Sequence, residues 1–350
     1  MVQVQKKIAL LHRYPKDQIK QTNAAFPYLS ERMDVLTFKK FDRLSSFKKF
    51  WKSLAWIFYA PCLVAGKGYD VLYLDDSYPF YGALVKMVSP RSKVVLRIGD
   101  LHLMYYYSGW VYKVLHFIEK ISWIMADEII AISDAMADKI EQEIGRRPKV
   151  VLDPVDPADF EPGGPCERNL VMFHGVLTKN KNVDILLSAA RYLDWADFVI
   201  LGDGPDFARL KSIAPKNVFF YGWVPFHKVQ EHIRNCTIGV ALRGDNSGNE
   251  YVVTSPFLQY GIMGKPCLVT RRKVFDGYEW QFQGFGELIE KITKILSMPS
   301  EDYKQESDKI RLHILQNHDA RKIAGEIFEI LNACYCFWYC WGCPRVKSKY

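Results

Sequence analysis

No run of eighteen or so uninterrupted apolar residues occurs in this 350-residue chain, so no segment reads as a membrane-spanning helix. No secretory signal is visible: Gln3-Val4-Gln5-Lys6-Lys7 leads straight into a strand-like apolar run, Ile8 to Leu11. The expected location is therefore the cytoplasm. No G-x-G-x-x-G follows that first strand, which removes the signature of an NAD-linked dehydrogenase. No nucleic-acid reader motif occurs, and the basic residues are spread through the chain, so no nucleic-acid partner is expected. The paired C-x-x-C…C-x-x-C spacing of a zinc site is also missing. Cys62, Cys166, Cys236 and Cys267 are scattered and read as core thiols.

What is present is ample core material. Hydrophobic residues make up 49% and aromatics 14%, which excludes global disorder. The net charge of +8 points to anionic partners: phosphate, acidic lipid or nucleic acid. Short apolar strands alternate with helical stretches along both halves. The first half offers strands at 8–11, 35–38, 70–74, 93–98, 129–132 and 150–152. The run Lys93 to Ile98 is apolar nearly throughout, as a strand buried on both faces would be. Ser133 is placed to cap a helix over Asp134 to Gly145. The second half offers strands at 170–173, 198–201, 218–221, 238–242 and 267–270. Such alternation predicts parallel sheets with helices on both faces. The Pro/Gly/acid-rich stretch from Asp153 to Pro165 reads as a linker.

The stretch that organises the chain is Leu170 to Lys181 read with Phe198 to Pro205. A strand ends in His174-Gly175, a lysine stands at the mouth of the next helix, and a second strand breaks at Gly202-Asp203-Gly204-Pro205. Units of this kind place backbone N–H groups and a helix N-terminus where a phosphate can sit. The plainer alternative is that glycines simply end strands.

The order of motifs carries a resemblance. His174-Gly175-Val176-Leu177 with Lys181, then Ile200 to Pro205 with Leu210, then Val218 to Val224, then Tyr260 to Thr270, follow in series. Earlier stand Asp127-Glu128-Ile129-Ile130-Ala131-Ile132-Ser133 and Val151 to Asp156 with Phe160 and Pro162. Over roughly residues 70 to 330 this resembles the GT4 family (glycosyl transferases group 1) of retaining glycosyltransferases. The resemblance implies an α/β GT-B fold, two Rossmann-like domains with parallel sheets facing a cleft. It implies an N-terminal acceptor domain over 1–152, a linker over 153–168 and a nucleotide-sugar domain over 169–308. A helix over 309–333 would be able to cross back to the first domain, and a tail would occupy 334–350.

The same resemblance implies the roles. The partners would be a nucleoside-diphosphate sugar as donor and a glycan or lipid-linked sugar as acceptor, with no cofactor. Lys181, Asp100 and Glu250 would be the catalytic residues. Lys181 would neutralise the leaving diphosphate, and Asp100 would face the donor sugar or the acceptor hydroxyl. Gly175, Val176, Gly202, Gly204, Trp223, Val224, Arg243, Ser255 and Gln259 would join Lys181 in holding the donor. Trp223-Val224 would meet the base, and Gly202 to Pro205 would let the main chain approach the nucleotide. No metal is expected, since no Asp-x-Asp follows a strand; Asp75 and Asp76 are adjacent. Three departures stand out. Val176 occupies the place of the family's usual arginine, so Arg243 or Lys179 would have to supply the second cation. Gln259 replaces the second of two glutamates, and Glu250 stands one position out of register for the first. His12-Arg13-Tyr14 replaces the N-terminal glycine pair. Each residue also has a plainer reading: Lys181 a solvated helix-start lysine, Asp100 a cap, Glu250 a surface acid. A nucleotide-binding module without transfer activity is the alternative.

Two segments fall outside that pattern. From Phe47 to Tyr59 lysines alternate with large aromatics at near-helical spacing. This suits either an interfacial helix on an anionic membrane or a core-facing helix with solvated lysines. The tail from Cys334 to Cys343 packs four cysteines among aromatics before a basic end, and suits an interfacial anchor or a plain extension.

Overall fold

The computed structural model describes residues 6–12, 23–37, 56–75, 80–101, 103–104, 107–162, 169–244 and 247–333. Arg13 and Tyr14, the greater part of the basic aromatic segment (47–55), Cys166 and the tail from 334 onward lie outside those residues. The chain divides into two compact units. One is Met1–Pro154 together with Ala320–Tyr350, and the other is Val155–Asp319.

The first unit holds strands β1 (Ile8–His12), β2 (Asp34–Thr37), β3 (Val71–Asp75), β4 (Lys93–Ile98), β5 (Glu128–Ala131) and β6 (Lys149–Val150). They form one parallel sheet in the order β2-β1-β3-β4-β5-β6. Its helices before residue 154 include α1 (Phe26–Ser30), α2 (residues 56–64), α3 (Phe80–Val88), α4 (Gly109–Met125) and α5 (Asp134–Ile144). The end signals of α5 act as expected. Ser133 Oγ accepts the Met136 N–H at 3.1 Å, and Gly145 ends the helix at φ +70°. Strand β4 is buried along nearly its whole length, as its apolar run predicts.

The second unit repeats the plan. Its strands are β7 (Leu170–His174), β8 (Asp197–Leu201), β9 (Val218–Gly222), β10 (Ile238–Ala241), β11 (Cys267–Thr270) and β12 (Gln281–Phe282). All are parallel, in the order β12-β11-β10-β7-β8-β9. Helices α6 (Asp184–Tyr192), α7 (Phe207–Ser212), α8 (Phe226–Asn235), α9 (Ser255–Ile262), α10 (Gly284–Leu296) and α11 (Ser300–His318) flank it. Alternation along the strands sorts the side chains onto two faces. Val171, Phe173, Phe198 and Ile200 pack with α6 and α10, whereas Met172, Val199 and Leu201 pack with α8, α9 and α11. Strand order reverses between β7 and β10, and the carboxyl end of such a switch point is where open α/β sheets bind ligands.

The expected single helix over 309–333 is two helices. The chain breaks at Asp319, which is extended, and resumes as α12 (Ala320–Ala333). The cause is a long-range pairing: the Val155 N–H donates to the His318 carbonyl at 2.8 Å, and Val155 bridges Asp319. Beyond the break, Ile323, Ile327, Phe328 and Leu331 are buried against Leu10, Tyr73 and Phe26 of the first unit. Within the expected linker, Val155 and Phe160 are core residues of the second unit. Cys236 and Cys267 are buried thiols, but Cys62 is exposed on α2, contrary to expectation.

Candidate functional site

The loops that leave β7, β8 and β10 are held against one another by backbone contact. After β7 the chain turns at Gly175 (φ +150°), whose N–H donates to Leu201 O at 3.0 Å. Leu177 N–H donates to Asp203 O at 3.0 Å, and Asp206 N–H to Leu177 O at 3.2 Å. A Cβ on Gly202 would lie 1.9 Å from Gly175 O, and one on Gly204 would lie 2.3 Å from Leu177 O. Both glycines also have positive φ, +133° and +156°. What they admit directly is the neighbouring loop's main chain, where the sequence suggested a nucleotide.

Lys181 closes a 3-10 turn, Lys179–Lys181, and Asn182 follows in the left-handed region at φ +53° before α6 begins. Lys181 therefore stands one turn ahead of the helix. Arg209 clamps that helix start, donating to both carboxylate oxygens of Asp184 at 2.8 and 2.7 Å and to both of Asp206. The loop after β10 meets the same turn: a Cβ on Gly244 would lie 2.0 Å from Asn180 O. So the chain beside Lys181 and the chain beside Arg243 touch at the switch point between β7 and β10.

Arg243 Nη1 donates to Asn249 Oδ1 at 3.1 Å, and its buried Nε has no hydrogen-bond partner among the described residues. Arg272, after β11, holds this loop from the other side, donating to Arg243 O at 3.0 Å and Gly244 O at 2.8 Å. Glu250 accepts the Lys273 N–H at 3.1 Å and lies 3.7 Å from Arg272 Nε. Its carboxylate is thus engaged as a tie between loops. Arg272 carries no signal in the sequence alone. In a plain Arg271-Arg272-Lys273 run nothing distinguishes it, and its role comes from long-range contact.

Gln259 on α9 is drawn to His174 at the end of β7, with His174 Nε2 at 2.8 Å from Gln259 Oε1. His174 Nδ1 lies 2.8 Å from Tyr260 Oη, which also reaches Met172 O at 3.0 Å. Burial pushes the His174 pKa down to about 4, so the imidazole is neutral at pH 7. Its Nε2–H then donates to Gln259, and the single Tyr260 proton has Nδ1 and Met172 O within reach. Ser255 opens α9 in an exposed position, next to Thr254, whose Oγ1 accepts the Phe257 N–H at 3.3 Å. Val176 is 59% and Trp223 74% exposed, with Val224 half-buried beside it. Gly202 N–H donates to Gly222 O at 2.7 Å and brings that turn to the same sheet end.

Asp100 lies apart from these residues in sequence and in unit. It follows β4, and its Oδ1 accepts the Leu101 N–H at 2.8 Å. Beneath it the first sheet buries a charged cluster. Arg97 donates to Asp75 at 3.1 Å and to Asp153 at 2.5 Å, and Asn23 donates to Asp75 at 2.6 Å. Burial raises the Asp153 pKa, and Arg97 opposes the shift. Among the described residues no group of three or more His, Cys, Asp or Glu is placed to hold a metal ion.

Residues 156–275 match the family model described as glycosyl transferases group 1. That segment contains every loop of the switch point just described. Solved structures resemble the whole chain. The Anabaena protein HepE (Alr3699), solved with UDP-glucose, is 16% identical at a TM-score of 0.71, covering 93% of this chain and 99% of that one. Sucrose-phosphate synthase from Thermosynechococcus elongatus is 12% identical at 0.74, covering 95% and 99%. The lipopolysaccharide outer core galactosyltransferase WaaB is 16% identical at 0.66, covering 93% and 99%. At these identities the likeness shows the fold: two Rossmann-like units of the GT-B class. No protein with a curated description matches the sequence.

Proposed function

We propose that this protein is a retaining glycosyltransferase of the GT4 type. It would move a sugar from a nucleoside-diphosphate sugar to a hydroxyl of a glycan or lipid-linked acceptor. One observation carries the reading. The segment that matches the family model is the one whose β7 and β10 loops meet at a sheet switch point, with Lys181 and Arg243 beside the contact.

Lys181 neutralises the leaving diphosphate as the bond from the anomeric carbon to phosphate oxygen breaks. Arg243, whose buried Nε lacks a partner among the described residues, supplies the cation that Val176 does not. With two such cations the reaction needs no metal or other cofactor. Gly175, Val176, Gly202 and Gly204 set the loops along which the donor lies, and Ser255 presents the start of α9 to a phosphate. Trp223 and Val224 meet the base, and the exposed indole is free to stack. Gln259, oriented by His174, meets the ribose as a neutral partner. Asp100 acts from the acceptor side. Glu250 fits a loop-holding role better than a proton-transferring one, because Lys273 N–H and Arg272 already engage it. HepE was solved with UDP-glucose, so UDP donors are the first to test. The enzyme would work at the cytoplasmic face of a membrane bearing the acceptor.

The second reading, a nucleotide-binding module without transfer, draws support from Val176 and from the engaged Glu250. Incubation with labelled UDP-, GDP- and ADP-sugars separates the two. Release of nucleoside diphosphate that drops on Lys181→Ala supports transfer chemistry. Tight binding with no turnover toward any glycan or lipid-linked acceptor supports the module.

A further inference from the structure

Helix α4 is built inside out. Its exposed residues recur at 110, 113, 114, 117, 118, 121 and 124, one continuous stripe at helical spacing, and all but Lys113 are apolar. Trp110 is 76%, Phe117 65% and Ile124 62% exposed. The face turned inward mixes polar groups with half-buried Val111, Tyr112 and Leu115. Glu119 and Ser122 are buried with Trp123, and His116 Nδ1 lies 2.9 Å from Glu119 Oε2. Ser122 Oγ accepts the Ala83 N–H of α3 at 3.2 Å. Lys120 pairs with Glu143 of α5. A helix between a core and water shows the reverse pattern, since each exposed apolar side chain forgoes its burial free energy.

The neighbouring helices also expose apolar side chains. On α3, which packs along α4 with Gly82 against Ser122, Met87 and Val88 are exposed. On α2, joined to α3 through the Trp56–Tyr81 ring contact, Phe58 and Tyr59 are exposed. Charge selects the occupant. The only carboxylate on α2, α3 and α4 is the buried Glu119; Lys86 and Lys120 are half-buried and paired with Asp127 and Glu143, which leaves Lys113 on α4 and Lys67 after α2 as the exposed charges. A second copy laid face to face would bring lysines together with no exposed acid on these helices to pair with them.

We propose that the outer face of α4, with the exposed residues of α2 and α3, seats on an anionic lipid bilayer. The helix would lie in the interface plane. It is 17 residues long, and no helix among the described residues is long and apolar enough to cross a membrane. Trp110, Phe117, Ile121 and Ile124 would enter the headgroup boundary, and Lys113 would meet lipid phosphates. The proposal gives the membrane part of the functional reading a defined surface.

Flotation of the full chain with phosphatidylglycerol–phosphatidylcholine vesicles, without nucleotide, tests it apart from the donor reading. Binding is expected, and Phe117→Ser with Ile124→Ser should weaken it by more than about tenfold. Circular dichroism should be unchanged, because both side chains are exposed. Lys113→Glu should weaken binding to anionic vesicles more than to pure phosphatidylcholine. Trp195→Ser, an exposed aromatic change in the second unit, should leave binding unaltered. No flotation, or flotation that the double variant retains, overturns the proposal. So does a dimer that the double variant splits without any vesicle binding, which would give the face to a second copy.

Discussion

At the scale of single residues, His174 makes the sharpest demand. Its folded pKa is near 4 because burial disfavours the imidazolium, whereas an unfolded histidine titrates near 6.5. Between those values the unfolded chain binds a proton that the folded chain does not. Stability contributed by neutral His174 is therefore present above about pH 6.5 and is lost as pH falls toward 4, by about 3 kcal/mol in all. His174→Phe should be less stable at pH 7, for want of the Tyr260 and Gln259 contacts. Its Tm should also fall less steeply than wild type between pH 6.5 and 4.5 in a calorimetric series, and parallel slopes would refute the assignment. Gly202 makes a steric demand. Gly202→Ala places a methyl 1.9 Å from Gly175 O in a backbone region that L-residues avoid. A loss of about 1–3 kcal/mol in urea unfolding is expected, with weaker nucleotide binding as the two loops part. The residue types of this site were legible, but their partners were not. Lys181 and the Gly202/Gly204 pair declare themselves by position after strands. Arg272 and His174 gain meaning only when β11 and α9 bring them to Gly244 and Gln259.

At the scale of elements, the first sheet rests on a charged cluster that hydrophobic pattern hides. Arg97 looks like a lone interruption of an apolar strand. In place, it neutralises Asp75 of β3 and Asp153 beyond β6. Arg97→Met would leave two carboxylates together without their cation, and a loss of about 3–5 kcal/mol is expected by denaturant unfolding. Most of the loss should be recovered in a triple variant that also carries Asp75→Asn and Asp153→Asn. Strands were legible because each is a short apolar run closed by turn residues. Two features were not: the two-residue β12, too short for periodicity to register, and the break at Asp319. The helical pattern continues across Asp319, and only the pairing of Val155 with that segment stops it.

At the scale of the whole molecule, the chain passes between its units twice, near Pro154 and near Asp319, and α12 completes the first core. A chain ended after Asp319 would uncover Leu10, Tyr73 and Phe26. It should lose amide protection in β1 to β5 while β7, β8 and β10 keep theirs, as hydrogen exchange would show. In the proposed function, the carboxyl end of the second sheet holds a nucleoside-diphosphate sugar through Lys181 and Arg243. Isothermal titration of UDP, GDP and ADP and their glucose conjugates into the full chain, alongside Lys181→Ala and Arg243→Ala, tests it most directly. At least one nucleotide should bind, and each substitution should weaken its affinity by about tenfold or more while the folded far-UV circular dichroism spectrum is retained. No binding by any of the six, or equal affinity in wild type and both variants, would contradict it.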